Sequence, residues 1–265
     1  MANIAVVNTK GGVGKSFIST QILPLAFNNK TEINIFELDN NNKTTLNSKV
    51  LNFKNLNIND IDEILMDVAF ADEVVNIIDA GGGDDTKAVL NALAENAVNI
   101  DTFIVPITRD FEVIKNLMDT LNLIREKFES PNIYVLLNKV TEGEKLEKQF
   151  LYLFGDREYE VDGIINELGD VTLIPVKNYA EIDIVKNIYK TTSLDVALEG
   201  KEIVDNLKQY QQQWYNEAKK LKDSAEQKKY FAKKMAFYRL IKKMINIQES
   251  VKNAFNFTEQ GGENE

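Results

Sequence analysis

The stretch that decides the fold is Ala5–Phe17, which reads AVVNTKGGVGKSF. An apolar run typical of a buried strand leads into a cluster of three glycines: Gly11, Gly12 and Gly14. Glycines between a strand and a helix let successive backbone N–H groups point inward, and the helix N-terminus favours an anion. The stretch therefore predicts a phosphate-binding loop, in which Lys15 reaches the β- and γ-phosphates of a nucleotide and the Ser16 hydroxyl binds Mg²⁺.

One position departs from the generic nucleotide-binding loop. That pattern has glycine five residues before its final glycine, whereas this chain has Thr9, followed by Lys10. The segment KGGVGKS resembles the deviant Walker A loop of the ParA/MinD family of ATPases. The resemblance implies that Lys15 serves the chain's own nucleotide and that Lys10 reaches across an ATP-bound dimer to the partner's nucleotide. A second cation there would offset the charge on the transferred phosphoryl group.

The resemblance also implies a set of nucleotide-binding residues. They are Gly11, Gly12, Val13, Gly14, Lys15, Ser16, Phe17, Asn138, Pro175 and Val176. Asn138 follows a strand in VLLNKV, and its amide can both donate and accept a hydrogen bond at an adenine edge. The segment LIPVKNYAEI resembles the family's later base-contacting strand end, with Pro175 and Val176 beside the purine. A solvated loop is the structural alternative for both segments.

Two acidic residues complete the expected site. The second strand ends in FELDNNNKTT, where the family usually carries an Asp-x-Asp-Pro-Gln-like segment. Asp39 matches the second acid, which implies that it positions the attacking water and is a candidate metal ligand; a turn or cap role is its alternative. Glu37 replaces the first acid, and the next two residues are both asparagine.

The third strand gives VVNIIDAGGG, which resembles a Walker B strand. Asp79 would hold Mg²⁺ through water, because this small, hard cation keeps much of its hydration. The glycines after it, Gly81–Gly83, would form a mobile loop that senses the γ-phosphate. An ordinary strand-to-loop turn is the structural alternative.

Short β-branched runs alternate with helical patterns along the chain. Strands are predicted at Asn3–Val7, Ile33–Leu38, Val74–Ile78, Thr102–Pro106, Ile133–Leu137 and Val171–Pro175. Helices are predicted at Lys15–Phe27, Ile58–Ala69, Thr86–Ala97, Phe111–Phe128, Glu144–Phe154, Tyr179–Tyr189 and Leu194–Tyr210. This alternation predicts an α/β fold with a doubly wound, mostly parallel sheet, namely a P-loop NTPase of the deviant Walker A type with a helical C-terminal extension.

Composition sets further bounds. The 265 residues are 44% hydrophobic, which is enough for a sizeable core, and they include no Cys and no His. Disulfides, thiolate or imidazole metal ligands and imidazole catalysis are therefore excluded. The first residues, MANIAVVNT, enter a strand-like run with no basic segment before it, and no run approaches a membrane span. A cytoplasmic setting is expected. The net charge of −10 argues against nucleic-acid binding by the whole surface.

The charge changes sign late in the chain. Residues 216–243 carry a net +7, whereas the rest carries −17. A helix is predicted over KKYFAKKMAFYRLIKKMINIQESVKNAF, with an apolar stripe at helical spacing beside lysines. The stripe residues are Phe231, Met235, Tyr238, Ile241 and Ile245. Three interpretations stay open: the stripe packs on the domain or another subunit, the lysines bind DNA phosphates, or the helix lies on an anionic membrane, which the length of the tail disfavours.

The expected organisation is an ATPase domain over 1–213, a basic helical extension over 214–257 and a disordered tail over 258–265. The expected function is that of a ParA-like ATPase that dimerises with ATP and Mg²⁺, hydrolyses ATP slowly under stimulation by a partner, and partitions or positions DNA through a DNA-binding adaptor protein. Alternatives are a conjugation accessory ATPase, a MinD-like membrane positioning factor and a nucleotide-dependent scaffold with negligible turnover.

Overall fold

The computed structural model describes residues 2–27, 31–38, 46–70 and 74–255. These residues group into two compact units. The first unit takes the described parts of Met1–Leu23, Lys30–Thr45 and Lys49–Tyr179. The second unit consists of the described residues within Pro24–Asn29, Leu46–Ser48 and Ala180–Glu265. The first unit contains the sheet and the predicted phosphate-binding loop.

A seven-stranded sheet forms the centre of the first unit. Its strands are β1 (Ala2–Val6), β2 (Glu32–Leu38), β3 (Leu51–Asn55), β4 (Val74–Ala80), β5 (Thr102–Ile107), β6 (Ile133–Val140) and β7 (Thr172–Lys177). All neighbouring pairs are parallel, in the order β3-β2-β4-β1-β5-β6-β7. The expected α/β fold with a parallel sheet is confirmed. Because β1 is central and strands are added on both sides of it, the right-handed crossovers that parallel sheets almost always use would place helices on both faces.

The helices of the first unit follow the strands as predicted, with local breaks. They are α1 (Lys15–Phe17), α2 (Ile61–Phe70), α3 (Asp84–Glu95), α4 (Phe111–Lys115), α5 (Leu117–Lys127), α6 (Leu146–Gln149) and α7 (Leu151–Phe154). After α1 the chain continues as a π-helical turn at Ile18–Ile22 and a 3₁₀ turn at Leu23–Ala26. The single helix predicted over Phe111–Phe128 is interrupted at Asn116, which joins α4 to α5.

The core lies between these helices and the strands. Every residue of β4 and β5 is buried, and four of the five in β1 are buried. Full burial of central strands is expected for a parallel sheet that is covered on both faces. β3 is different, because only Leu51 of its residues is fully buried. Its polar sequence, LNFKN, explains why the sequence analysis missed this strand.

A row of asparagine side chains crosses four strands in register. Asn76 on β4 donates to Asn3 on β1 and accepts from Asn34 on β2, each at 3.0 Å. On β3, Asn52 donates to Asn34 at 3.2 Å and to Glu32 at 2.8 Å. Three of the four amides are buried, and the row satisfies their polar groups inside the sheet, where an unpaired amide would be costly.

The second unit is helical. Its helices are α8 (Ala180–Ile184), α9 (Ser193–Asp205), α10 (Leu207–Lys219) and α11 (Ser224–Phe255), with a π-helical turn at Val185–Tyr189 after α8. α11 packs on α9, and Gly200 of α9 lies so close to Ile241 that an added Cβ would overlap it.

The predicted apolar stripe of α11 is only partly correct. Ile241 is fully buried, but the other four stripe residues are half-buried. The buried face lies further along the helix and consists of Leu240, Ile241, Met244, Ile247, Gln248, Val251 and Phe255. The C-terminal half of α11 is therefore a packing surface within the second unit, whereas the N-terminal half carries most of the exposed lysines.

Candidate nucleotide-binding site

The glycine-rich loop connects β1 to α1 at the carboxyl edge of the sheet. Gly12 and Gly14 have φ values of 78° and 96°, a backbone region that strains residues with a side chain. Gly11 and Gly12 are exposed, and no atom lies within 4 Å of the position that a Cβ would take at either residue. The loop thus presents its backbone on an open surface, as a phosphate-binding loop requires.

The two lysines beside the glycines have different environments. Lys15 is buried, and its Nζ donates to the carbonyl oxygens of Asn8 at 3.2 Å and of Lys10 at 3.3 Å. Lys10 is only half-buried, and its backbone N–H donates to the Asn8 side chain at 2.7 Å. The two ammonium groups are therefore not equivalent: one lies against its own loop, and the other belongs to a partly exposed side chain.

Polar side chains that sequence reasoning missed fix the start of the loop. The Asn8 amide donates to the carbonyl of Pro106 at 2.9 Å, and the Thr86 hydroxyl donates to the carbonyl of Asn8 at 2.9 Å. The Thr120 hydroxyl accepts from the Thr9 N–H at 3.2 Å and lies 3.0 Å from the Thr9 hydroxyl. A polar residue directly after a strand was a usable signal for Asn8, whereas the two helical threonines carry no local signal.

Asp79 lies beside the loop near the end of β4. It is 2% exposed and is the register partner of Glu37 on β2. Burial raises the pKa of Asp79 to about 7, and the negative charge of Glu37 adds to this shift. A hydrogen bond from Ser16 and the positive charge of Lys15 act in the opposite direction on the same pKa. The structure therefore brings together Lys15, Ser16 and Asp79, which the sequence assigned to one site.

This carboxylate fits a divalent cation. Its Oδ1 is buried with no hydrogen-bond partner among the described residues, although Ser16 hydrogen-bonds to the carboxylate. Hard oxygen ligands of this kind suit Mg²⁺, which binds proteins through one or two side chains together with water and phosphate oxygens. Within the described ranges no cluster of three or more Asp, Glu, His or Cys side chains could hold a metal. Ser16 and Asp79 are thus the residues that fit the ion.

The loop after β4 lies against the glycine-rich loop. A Cβ at Gly82 would lie 2.9 Å from the Cα of Gly11, which is too close for any side chain. The Gly83 N–H donates to the carbonyl of Thr9 at 2.8 Å, and the Thr86 hydroxyl also donates to the carbonyl of Gly81. The two glycine segments found in the sequence are therefore in direct backbone contact.

Asn138 contacts the glycine-rich loop through its side chain. Its Nδ2 donates to the carbonyl of Val13 at 2.9 Å, and its Oδ1 accepts from the N–H of Lys139 at 2.8 Å. The same Nδ2 would lie 2.5 Å from a Cβ at Gly14. Lys139 has a φ of 61°, and the pairing of β6 with β7 shifts register here, which turns Asn138 toward the loop. An adenine contact by Asn138 stays a prediction.

The remaining predicted residues are distributed as follows. Phe17, the last residue of α1, is half-buried, and Val13 is buried. Pro175 on β7 is exposed and pairs with Leu137 on β6, while Val176 is buried. Asp39 lies outside the described residues.

The basic surface predicted near the C-terminus is on α11, in the second unit. Its exposed cations are Lys228, Lys229, Lys233, Arg239, Lys242 and Lys243, while Lys234 and Lys252 are half-buried. Within the described part of the chain, Lys243 is the one α11 cation in an ion pair, with Glu181 at 2.5 Å.

A cavity of about 360 Å³ lies beside this helix, lined by Tyr189, Tyr230, Lys233, Lys234 and Phe237. Two lysines of α11, Lys233 and Lys234, therefore lie next to aromatic rings, and the charge of Lys234 also acts on Glu217.

None of the helices that the structure describes is long and apolar enough to cross a membrane.

Comparison with known proteins places these features in context. Residues 4–178 match the model of the CobQ/CobB/MinD/ParA nucleotide-binding domain. No curated protein matches the chain significantly.

Solved structures share the fold. The MinD cell division protein of Aquifex aeolicus is 13% identical and has a TM-score of 0.54, covering 76% of this chain and 90% of its own. The MinC:MinD complex of the same organism gives 10% identity and a TM-score of 0.52, covering 76% and 89%. Apo McdA of Cyanothece is 10% identical with a TM-score of 0.50, covering 71% and 90%. At these identities the likeness concerns the fold alone.

Proposed function

Because the chain belongs to the CobQ/CobB/MinD/ParA family of nucleotide-binding domains, we propose that it is a ParA-like ATPase that dimerises with ATP and partitions or positions DNA. The observation that carries this proposal is the glycine-rich loop with its two unlike lysines, set against Ser16 and Asp79. A loop that bound a nucleotide only within one protomer would need Lys15 alone. The partly exposed Lys10 is the feature that favours action on a second copy.

Each residue has a distinct role in this proposal. The Lys15 ammonium would leave the loop carbonyls and bind the β- and γ-phosphates, while Ser16 and, through water, Asp79 would hold Mg²⁺. The ion, when bound, neutralises charge on the phosphate oxygens. Lys10 of one protomer adds a positive charge at the partner's γ-phosphate, where charge develops during transfer. Asp39 orients the attacking water.

The nucleotide part of the proposal is tested with Lys15→Ala. This variant should lose ATP binding at micromolar ATP in an equilibrium binding assay, because no other described cation contacts the loop carbonyls as Lys15 does. Lys148→Ala, which removes an exposed lysine on α6, is the matched control and should bind as the parent does. Wild-type affinity in Lys15→Ala would remove the basis of every site residue named here.

The dimer part is tested with Lys10→Ala. The variant should still bind ATP, because Lys15, Ser16 and Asp79 are untouched, but it should lose ATP-dependent dimerisation and hydrolysis. Light scattering with a slowly hydrolysed ATP analogue measures the first, and phosphate release measures the second. A Lys10→Ala protein that dimerises and turns over like the parent would contradict the proposed trans role.

Asp39→Ala addresses hydrolysis separately. If Asp39 orients water, its loss should leave ATP binding and dimerisation intact and should trap the ATP-bound dimer. The measurement is the lifetime of that dimer after free ATP is removed. Dissociation at the parent rate would move the water-positioning role to another carboxylate.

For the DNA part, we propose that the exposed lysines of α11 bind DNA phosphates without sequence preference. Support comes from the lysines in the N-terminal half of α11, which form no ion pair with a described residue, whereas one face of the C-terminal half is buried in packing. A dimer would present two such helices, so weak contacts would add through effective concentration. With roughly four phosphate contacts per dimer, the log–log dependence of affinity on salt should have a slope near −4.

This part is tested without truncation, because deleting 216–265 would uncover the face of α9 against which α11 packs. The double variant Lys228→Gln/Lys233→Gln removes about four charges per dimer and should flatten the salt dependence of ATP-dependent DNA binding. Lys201→Gln, an exposed lysine of α9, is the control. Unchanged DNA binding in the double variant would refute the DNA surface. If the protein sediments with anionic vesicles but does not bind DNA, a MinD-like positioning role would be favoured instead.

A further inference from the structure

The Thr9–Thr120 contact uses every hydrogen-bonding position of one buried hydroxyl. Thr120 is fully buried, and its Oγ1 donates to the carbonyl of Asn116, one turn earlier, at 3.2 Å. The same oxygen accepts from the Thr9 N–H at 3.2 Å and lies 3.0 Å from the Thr9 hydroxyl, where either atom could be the donor. A hydroxyl has one proton and two acceptor positions, so these three contacts use all of them.

The contact lies directly beside the lysine that distinguishes this loop. Thr9 precedes Lys10 and occupies the position where the generic nucleotide loop has glycine. Its carbonyl accepts from the Gly83 N–H at 2.8 Å, so the peptide that leads into Lys10 is held from α5 on one side and from the loop after β4 on the other. The Asn8 side-chain oxygen makes a third contact with this segment, because it accepts a hydrogen bond from the Lys10 N–H at 2.7 Å. A glycine at position 9 could not form the hydroxyl bond.

We propose that Thr120 is a positioning residue for Lys10: through Thr9 it holds the backbone that aims the Lys10 ammonium out of the protomer. The inference rests on the proposed trans role of Lys10. It explains why threonine stands at position 9, and it assigns to α5 a function in catalysis without contact to the nucleotide. Lys15 donates to the carbonyls of Asn8 and Lys10, and neither of those bonds involves Thr120.

The test compares Thr120→Val with Thr120→Ser. Valine keeps the shape of threonine but has no hydroxyl, whereas serine keeps the hydroxyl. Thr120→Val should bind ATP within about threefold of the parent but should lose roughly 10- to 100-fold in turnover, because a small misplacement of a catalytic group costs this much. ATP-dependent dimerisation should weaken in parallel, and Thr120→Ser should restore both.

A double variant separates positioning from general damage. In a Lys10→Ala background, Thr120→Val should cause no further loss of the residual turnover measured at high protein concentration, because the group it positions is already absent. Thr102→Val is the matched control, since Thr102 is another buried threonine whose hydroxyl accepts a side-chain hydrogen bond, from Asn132 at 3.3 Å. If Thr120→Val fails to fold, Thr9→Val removes the hydroxyl bond from the loop side and should give the same pattern.

Three results would overturn the inference: parent-like turnover in both Thr120→Val and Thr9→Val, an equal fold-loss with and without Lys10, or a loss of ATP affinity as large as the loss of turnover. If Lys10→Ala alone keeps full turnover, it is the proposed trans role that fails. The two failures are therefore distinguishable.

Discussion

Replacing Asp79 by asparagine should change how stability depends on pH. Burial raises the pKa of Asp79 from 3.8 to about 7 in the folded protein. The folded state therefore holds this proton more tightly than the unfolded chain does, and the stability that the neutral carboxyl provides is lost as pH rises from about 4 to about 7. The shift of about 3 pKa units corresponds to an upper value of about 4 kcal/mol at pH 8. Asp79→Asn removes this loss because the amide does not ionise.

The quantity to measure is the difference in unfolding free energy between Asp79→Asn and the parent, from urea titrations with EDTA. That difference should increase by about 2 to 3 kcal/mol between pH 5 and pH 8, in favour of the variant. Taking the difference cancels the titration of other groups. Asp84→Asn, at a side chain that is 99% exposed, is the control and should show no such trend. A difference that is flat with pH would refute the claim that Asp79 is ionised at a cost in the folded protein.

Three further substitutions probe contacts between elements. Gly14→Ala should abolish ATP binding, measured by fluorescence titration. The added Cβ would lie 2.5 Å from the Asn138 amide, and the φ of 96° at this position disfavours a side chain. A Gly14→Ala protein with parent affinity for ATP would contradict this. Gly200→Ala should lower the stability of the helical unit by about 1 to 3 kcal/mol in urea unfolding, because its Cβ overlaps Ile241. Asn76→Ala should lower the unfolding free energy by about 2 to 4 kcal/mol in the same assay, because it leaves the buried amides of Asn3 and Asn34 each without one partner. A loss below about 1 kcal/mol would show that these hydrogen bonds contribute little to stability.

The sequence allowed the fold to be predicted because its strongest signals are local. The glycine-rich loop, the apolar strands before Lys15 and Asp79, and the alternation of strands with helices all lie within short segments. β3 escaped because an edge strand buries little and carries a polar pattern. The breaks in the predicted helices, such as the one at Asn116, were equally hidden, because the residues on both sides continue a helical pattern.

The site was predictable only in its motif residues. The contact of Thr9 with Thr120 joins positions 111 residues apart, and that of Asn138 with Val13 joins positions 125 apart. Neither pairing leaves a pattern in its own neighbourhood, since a buried threonine on a helix or an asparagine after a strand has many structural uses. Such contacts follow from the strand order, which places β5 next to β1 and β6 next to β5, and that order was not specified by the sequence pattern.

The asparagine row has a consequence for how the sheet finds its alignment. Strands covered on both faces are apolar at nearly every position, so a strand displaced along its neighbour by one or two residues still buries hydrophobic side chains. The amides do not tolerate a displacement of one residue, because Asn76 would then face Ala2 or Ile4 on β1, or Ile33 or Ile35 on β2, instead of Asn3 and Asn34. The buried amides therefore specify the register of the strands, because a displaced register that still buries hydrophobic side chains would leave these amides without partners.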